Sequence, residues 1–240
     1  MFNVEKITLI IVALFILNTS ALAQLGLRLY TEIGKNNVSH GLYMKSSVMG
    51  GYRFKKYIVE TSIQLDLKNG NKNVFSGYRI NATRDFMIES VPLGLQAFFL
   101  YTTSFDILYE TNWGASLNIR HNRFDMAIGT NFRTYAFTKK AIEQYGILKN
   151  ATKIHEIFNI MYSFNYYLNP TDDNWNAGLS ITNIDYFMIN QETNPIFILR
   201  GLYKLSEPIC LFAQTSYRIA GLTNLQTNFF GLYFRTGLIW

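Results

Sequence analysis

The sequence predicts an all-β chain that closes into a transmembrane antiparallel up-and-down barrel of about twelve strands. Three observations carry this: apolar and polar residues alternate along most of the chain, the links between alternating segments are short and long in turn, and charge is scarce. Of the 240 residues 49% are apolar and 16% aromatic, with 19 Phe and 16 Tyr, while 16% are charged, against roughly 25% in soluble domains. A soluble β-sandwich also alternates, but its outer face needs more Lys and Glu than this chain owns. Only 4 prolines argue against a Pro-rich linker protein, and a single cysteine against a disulfide framework.

The first 23 residues read as a processing segment. Lys6 and the amino terminus supply the positive end, Ile7–Leu17 the apolar run, and Ala21-Leu22-Ala23 a small-x-small cleavage site. The expected division is a cleaved signal peptide over 1–23 and one barrel domain over 24–240. Gln24 at the cleavage point excludes a lipoprotein cysteine there. No later stretch approaches the roughly 20 apolar residues of a membrane helix.

The alternation is explicit in Tyr57–Leu67, where Tyr57, Val59, Thr61, Ile63 and Leu65 interleave with Ile58, Glu60, Ser62, Gln64 and Asp66. Tyr109–Arg120 repeats it. Successive strand side chains point to opposite faces, so one face meets hydrocarbon and the other holds the ionisable groups. Segments are expected at 25–33, 41–54, 57–67, 74–84, 92–103, 108–120, 124–136, 154–168, 175–188, 196–205, 209–220 and 229–240, with bulges in the second and ninth. Lys55-Lys56, His121–Arg123 and Ser206–Pro208 read as short periplasmic turns, and Thr138–Lys153 as the longest external loop. Tyr30, Tyr52, Tyr57, Tyr101, Tyr109, Phe124, Tyr167, Trp175, Phe187 and Tyr203 fall toward segment ends, where interfacial girdles sit.

The ending Phe229–Trp240, with Phe230, Leu232, Phe234, Leu238 and Trp240 as its assembly signal, resembles the last strand of bacterial outer-membrane β-barrels. The pattern looks most like the small barrels of Bacteroidetes-type Gram-negative bacteria. The resemblance implies an outer-membrane location, contact with outer-membrane lipid, and recognition by the barrel-assembly machinery through this strand. It brings no activity with it.

Chemistry-bearing motifs are sparse. The outer-membrane phospholipase family uses His and Ser two residues apart, but His40, His121 and His155 are followed at that spacing by Leu42, Arg123 and Ile157. A triad assembled across strands leaves a lipid-modifying hydrolase as an alternative. Asp172-Asp173 reads as a turn rather than a calcium site, three scattered histidines make a poor metal set, and no phosphate-cradling loop occurs. No cofactor and no nucleic-acid partner are expected.

The informative set is the inward face. Period two places Arg28, Glu32, Glu60, Asp66, Arg79, Glu110, Arg133, Arg200, Lys204, Arg218 and Arg235 there, because an Arg or Lys facing lipid at the midplane costs about 2–4 kcal/mol. Two readings stay open. The charges pair across a filled interior, giving a non-conducting structural or assembly-partner barrel, or they line a narrow channel for small polar or anionic solutes. Thr138–Lys153 is unusually apolar for a loop and is expected to pack on the rim, as a short helix or otherwise.

Overall fold

The computed structural model describes residues 25–35, 42–68, 74–104, 108–145, 155–170, 174–218 and 231–240. The expected signal peptide, His40, Ile147, Leu148, Asp172, Asp173 and Phe230 lie outside them. The strands are β1 (Leu25–Lys35), β2 (Leu42–Phe54), β3 (Tyr57–Asp66), β4 (Phe75–Ile88), β5 (Val91–Ser104), β6 (Leu108–His121) and β7 (Phe124–Phe137). A short helix α1 (Lys139–Tyr145) follows. Then come β8 (His155–Tyr167), β9 (Trp175–Thr182), β10 (Ile184–Asp185), β11 (Met188–Ile189), β12 (Ile196–Ser206), β13 (Ile209–Arg218) and β14 (Gly231–Ile239). All but β10 and β11 form one closed antiparallel barrel, β14 pairing with β1 and β9 with β12. Closure leaves no edge whose backbone would face hydrocarbon without partners.

Alternation becomes a lipid face and an interior. Outward side chains such as Ile128 (61% exposed), Phe158, Trp113, Leu95, Leu199 and Leu232 form an apolar belt. Their strand neighbours are among the most buried groups of the chain, with Arg235 at 1% and Asn112 at 0%. A belt of this extent is solvated by lipid tails rather than water. Tyr52, Tyr57, Phe124, Trp175 and Tyr203 stand exposed beside the short turns, as an interfacial girdle does. Three aromatics depart from the expected girdle. Tyr30 shares parity with Arg28 and Glu32 and is buried inside. Tyr167 turns in to donate to Asp125 Oδ2 (3.2 Å). Phe187 is on no wall strand at all.

Residues 55–56, 89–90 and 122–123 make two-residue turns, and Lys55, Glu89 and Asn122 open them in the left-handed region (φ 54°, 56° and 50°). The register of β2 runs without interruption against β1 and β3, so the expected bulge there is absent. The irregularities fall between Gln64 and Leu65 and between Lys204 and Ser206. After β7, α1 buries Ala141 (1% exposed), with Thr138 Oγ1 accepting the Ala141 N–H.

The ninth segment is the main correction. It was expected to run as one strand over 175–188, but β9 ends at Thr182 and the chain turns into the barrel as the β10–β11 hairpin. Asn183 makes that departure affordable in hydrogen bonds. Its side-chain oxygen accepts from Tyr162 N (2.8 Å), and its amide donates to Ile160 O (2.8 Å) and Asn190 O (3.2 Å). One side chain thus satisfies β8 backbone groups where the next strand would have done so.

The seam between β1 and β14 is held by seven paired positions from Arg28–Ile239 to Gly34–Tyr233, with Leu27 and Trp240 exchanging both backbone bonds (3.2 and 2.8 Å). Deleting Leu238–Trp240 is expected to block closure and membrane insertion. The check is the heat-modifiable electrophoretic shift of the membrane fraction, and a normally shifted folded band after the deletion contradicts it.

Candidate functional site: the hairpin and its arginine cradle

A barrel of this many strands is too wide for wall side chains alone to fill, unlike an eight-stranded one. Part of the remaining space is taken by the β10–β11 hairpin, residues 184–189. Tyr186 and Phe187 form the hairpin tip, and Phe187 and Ile189 pack against Tyr30, Phe98, Leu100 and Met161. Gly237 sits opposite Tyr30, where a Cβ would lie 2.7 Å from Tyr30 Cβ. Its missing side chain lets the Tyr30 ring meet Phe212 edge-on at 5.9 Å and Tyr186 at 5.7 Å.

The polar half of the contact centres on Asp185. Arg235 grips its carboxylate as a fork, Nη1 to Oδ1 at 2.9 Å and Nη2 to Oδ2 at 3.0 Å. Arg218 Nη2 donates to Oδ2 at 2.6 Å, Tyr233 OH donates to Oδ2 at 3.1 Å, and the Tyr186 N–H closes on Oδ1 at 2.7 Å. The two guanidiniums stack on aromatic faces, Arg218 4.2 Å from the Tyr233 centroid and Arg235 4.8 Å from that of Tyr30. Asp185 lies on the infolded hairpin, not on a spanning strand. Burial works against its charge, yet Arg235 and Arg218 outweigh burial and hold the carboxyl well below the usual range.

The eleven residues assigned inward by parity take different partners. Glu32 pairs with Arg235 and accepts from Tyr43 OH (2.8 Å). Glu110 pairs with Arg133 (3.0 Å), and the Arg133 guanidinium also donates to the Ile189 carbonyl, tying β7 to the hairpin. Arg28 donates to Tyr186 OH (3.0 Å). Arg79 donates to the carbonyls of Asp185 (3.2 Å) and Tyr186 (3.1 Å) and to Asn81 (2.7 Å). Arg200 donates to Ser180 (2.7 Å) and Asn165 (3.2 Å). Glu60 accepts from Asn81 (3.4 Å), and Asp66 accepts the Lys68 N–H (3.1 Å) near the end of β3. Lys204 pairs with the exposed Glu207 at the turn after β12, at the mouth rather than along the interior.

Sequence reasoning missed two members of this set. Lys45, buried at 4%, shares parity with Tyr43 and Ser47 and was legible from period two. Asp185 carried no such signal, since it leaves the wall altogether. Of the three histidines, His121 bonds to Asn122 at a turn (3.3 Å) and His155 begins β8. Among the described residues no group of three His, Cys, Asp or Glu side chains is placed to hold a metal. Cys210 is a free thiol, half-buried on β13.

Comparison with solved structures agrees with the fold. The chain is similar to a KdgM porin (TM-score 0.51, 10% identity, 90% of this chain and 98% of that one). It is similar to a NanC porin (0.52, 8%, 88% and 98%). It is also similar to an outer membrane channel from Pseudomonas putida F1 (0.54, 9%, 90% and 95%). The fold is therefore that of the bacterial outer-membrane β-barrels. No family model and no curated protein matches the sequence.

The arginine cradle and the exposed Arg53–Asp85 pair (3.2 Å, side chains 55% and 32% exposed) should respond differently to truncation. Arg235→Gln strands the Glu32 and Asp185 carboxylates in the interior and is expected to cost about 3–5 kcal/mol. Arg53→Gln is expected to cost no more than about 1 kcal/mol. Equilibrium unfolding in detergent, followed by tryptophan fluorescence against denaturant, measures both, and equal costs contradict the assignment.

Proposed function

We propose that the chain is an outer-membrane channel with a narrow polar lumen for small polar solutes, anions in preference to cations. The observation that carries this is the choice of partners made by three interior arginines. Arg28, Arg79 and Arg200 bond to a phenol, backbone carbonyls, a hydroxyl and side-chain amides, and among the described residues none has a carboxylate within salt-bridge distance. An interior built only for stability gains little from guanidiniums that lack a salt-bridged carboxylate, whereas fixed positive charge in a narrow passage selects anions. The names of the similar solved structures, two porins and a channel, support conduction. In the same reading, a leader ending at Ala23 directs export, and β14 presents Leu232, Phe234, Leu238 and Trp240 to the barrel-assembly machinery before they meet outer-membrane lipid.

A second reading, a non-conducting structural barrel, is favoured by the filled interior. Conduction through this lumen requires the β10–β11 hairpin to leave it. The two readings part in a planar bilayer. The wild type is expected to conduct with a reversal potential of anionic sign under a sodium acetate gradient, and Arg28→Gln with Arg200→Gln, which strand no carboxylate, to reduce that preference with the fold retained. A cationic reversal potential overturns the charge argument. Absence of conductance in the wild type, and equally in a variant with 184–189 replaced by a Gly-Ser segment, leaves the structural barrel.

A further inference from the structure

Four of the five donors on the Asp185 carboxylate belong to the barrel wall. Arg235 contributes two N–H groups, Arg218 one and Tyr233 a hydroxyl, all from β13 and β14. The hairpin itself contributes only the Tyr186 N–H. The wall therefore holds a complete carboxylate receptor without the hairpin. Its shape suits that chemistry, since a guanidinium fork matches two oxygens of one planar group. A cavity of about 10 Å³, room for one water, is lined by Asp185, Arg218 and Arg235 together with Glu32, Lys45, Gln64 and Thr102.

We propose that Arg218, Arg235 and Tyr233 form a binding site for a small free carboxylate, that Asp185 fills it as a tethered stand-in, and that a free carboxylate displaces it and releases the hairpin. The site takes a small carboxylate of the size of the Asp185 side chain it replaces. This deepens the channel reading and rests on it for its physiological sense, because displacement of Asp185 both opens the lumen and bares two arginines to the next anion. The hairpin stays in place without ligand because its carboxylate is delivered intramolecularly and because Arg79, Arg133 and the packing of Phe187 and Ile189 hold it too. A flexible tether gives an effective concentration in the millimolar range, and the packed hairpin sets a higher one that a free competitor must match. Asn183 anchors the hairpin base to β8 by its side chain, so the tip is released while the base stays in place.

The test uses the full chain refolded in detergent, with Phe187→Cys at the hairpin tip and Cys210→Ser to remove the native thiol. The readout is the rate of maleimide attachment, in sodium acetate against sodium chloride of equal ionic strength, with acetamide as the neutral control. Labelling is expected to be slow in chloride and acetamide and severalfold faster in acetate. Adding Asp185→Asn to the same background is expected to give fast labelling in every buffer. Acetate labelling no faster than chloride overturns the proposal, and so does an Asp185→Asn protein protected as well as its parent. Because a cysteine at the tip can loosen the packing, a second variant keeps Phe187. Asp185→Gly is expected to unfold at a lower temperature than wild type and to recover in formate or acetate but not in chloride or formamide; no selective recovery counts against the site. Bilayer conductance on the same preparations separates the two proposals. Acetate-driven labelling without current removes the channel and leaves the site, and current with acetate-insensitive labelling does the reverse.

Discussion

Hydrocarbon tolerates no unpaired backbone amide, and everything else in this molecule follows from that constraint. It forces the wall strands to close on one another, since any open edge would expose N–H and C=O groups to lipid. Closure with strict period two then fixes which residues look out and which look in. A slip by one residue would drive Arg79, Arg133 and Arg235 into the tails together and turn Ile80, Phe132 and Phe234 into the lumen. The register is therefore held by the whole alternating pattern rather than by any single pair.

The same constraint creates a problem inside. The closed wall collects arginines, carboxylates and amides in a space wider than their side chains can span, and buried charges without partners are costly. The hairpin answers both demands. Phe187 and Ile189 fill the apolar part of the gap, while Asp185 and the carbonyls of Asp185, Tyr186 and Ile189 receive arginines that β4, β7, β13 and β14 project inward. Asn183 makes the exit from the wall possible by bonding to β8 where β9 no longer does. A loop that supplies acceptors at its tip and a ladder mimic at its base is a structural part of the barrel.

Much of this was legible in the sequence, for a physical reason. Segments such as 57–67 and 108–120 match β3 and β6 closely because lipid on one side and polar groups on the other enforce alternation residue by residue. Parity also placed Arg133 opposite the lipid-facing Phe132, and it would have placed Tyr30 inside with Arg28 and Glu32 had position near a segment end not been weighed above it. The hairpin was hidden because Ile184, Asp185 and Tyr186 still alternate apolar and polar, although one residue out of phase with β9, whose outward apolar positions are Trp175, Leu179 and Ile181. Periodicity records two environments, lipid-like and polar, and the lumen offers both: an apolar cluster around Leu100 and an arginine cradle around Asp185. Residues facing those two surfaces alternate just as a wall strand does. Asn183, a turn-forming residue, and the change of apolar parity across it were the local signs of the break.

The arrangement of charge distinguishes a plug from a gate. A permanent plug is best served by apolar packing or by pairs that close completely, because a buried ion pair is at best roughly neutral against a hydrophobic replacement of the same shape. Here Glu32, Tyr43 and Arg235 would persist as a connected set on the wall if the hairpin left, and Arg133 would keep Glu110. The groups that lose most are Arg79, Arg218 and the second arm of Arg235, all cationic and all facing the vacated space. Departure of the hairpin thus removes one carboxylate and exposes a cluster of positive charge, a state that solvent and mobile anions stabilise and that a dry interior does not. Under the proposed displacement of Asp185, the balance between the two states follows the anion present, which is the property a structural filler has no reason to possess.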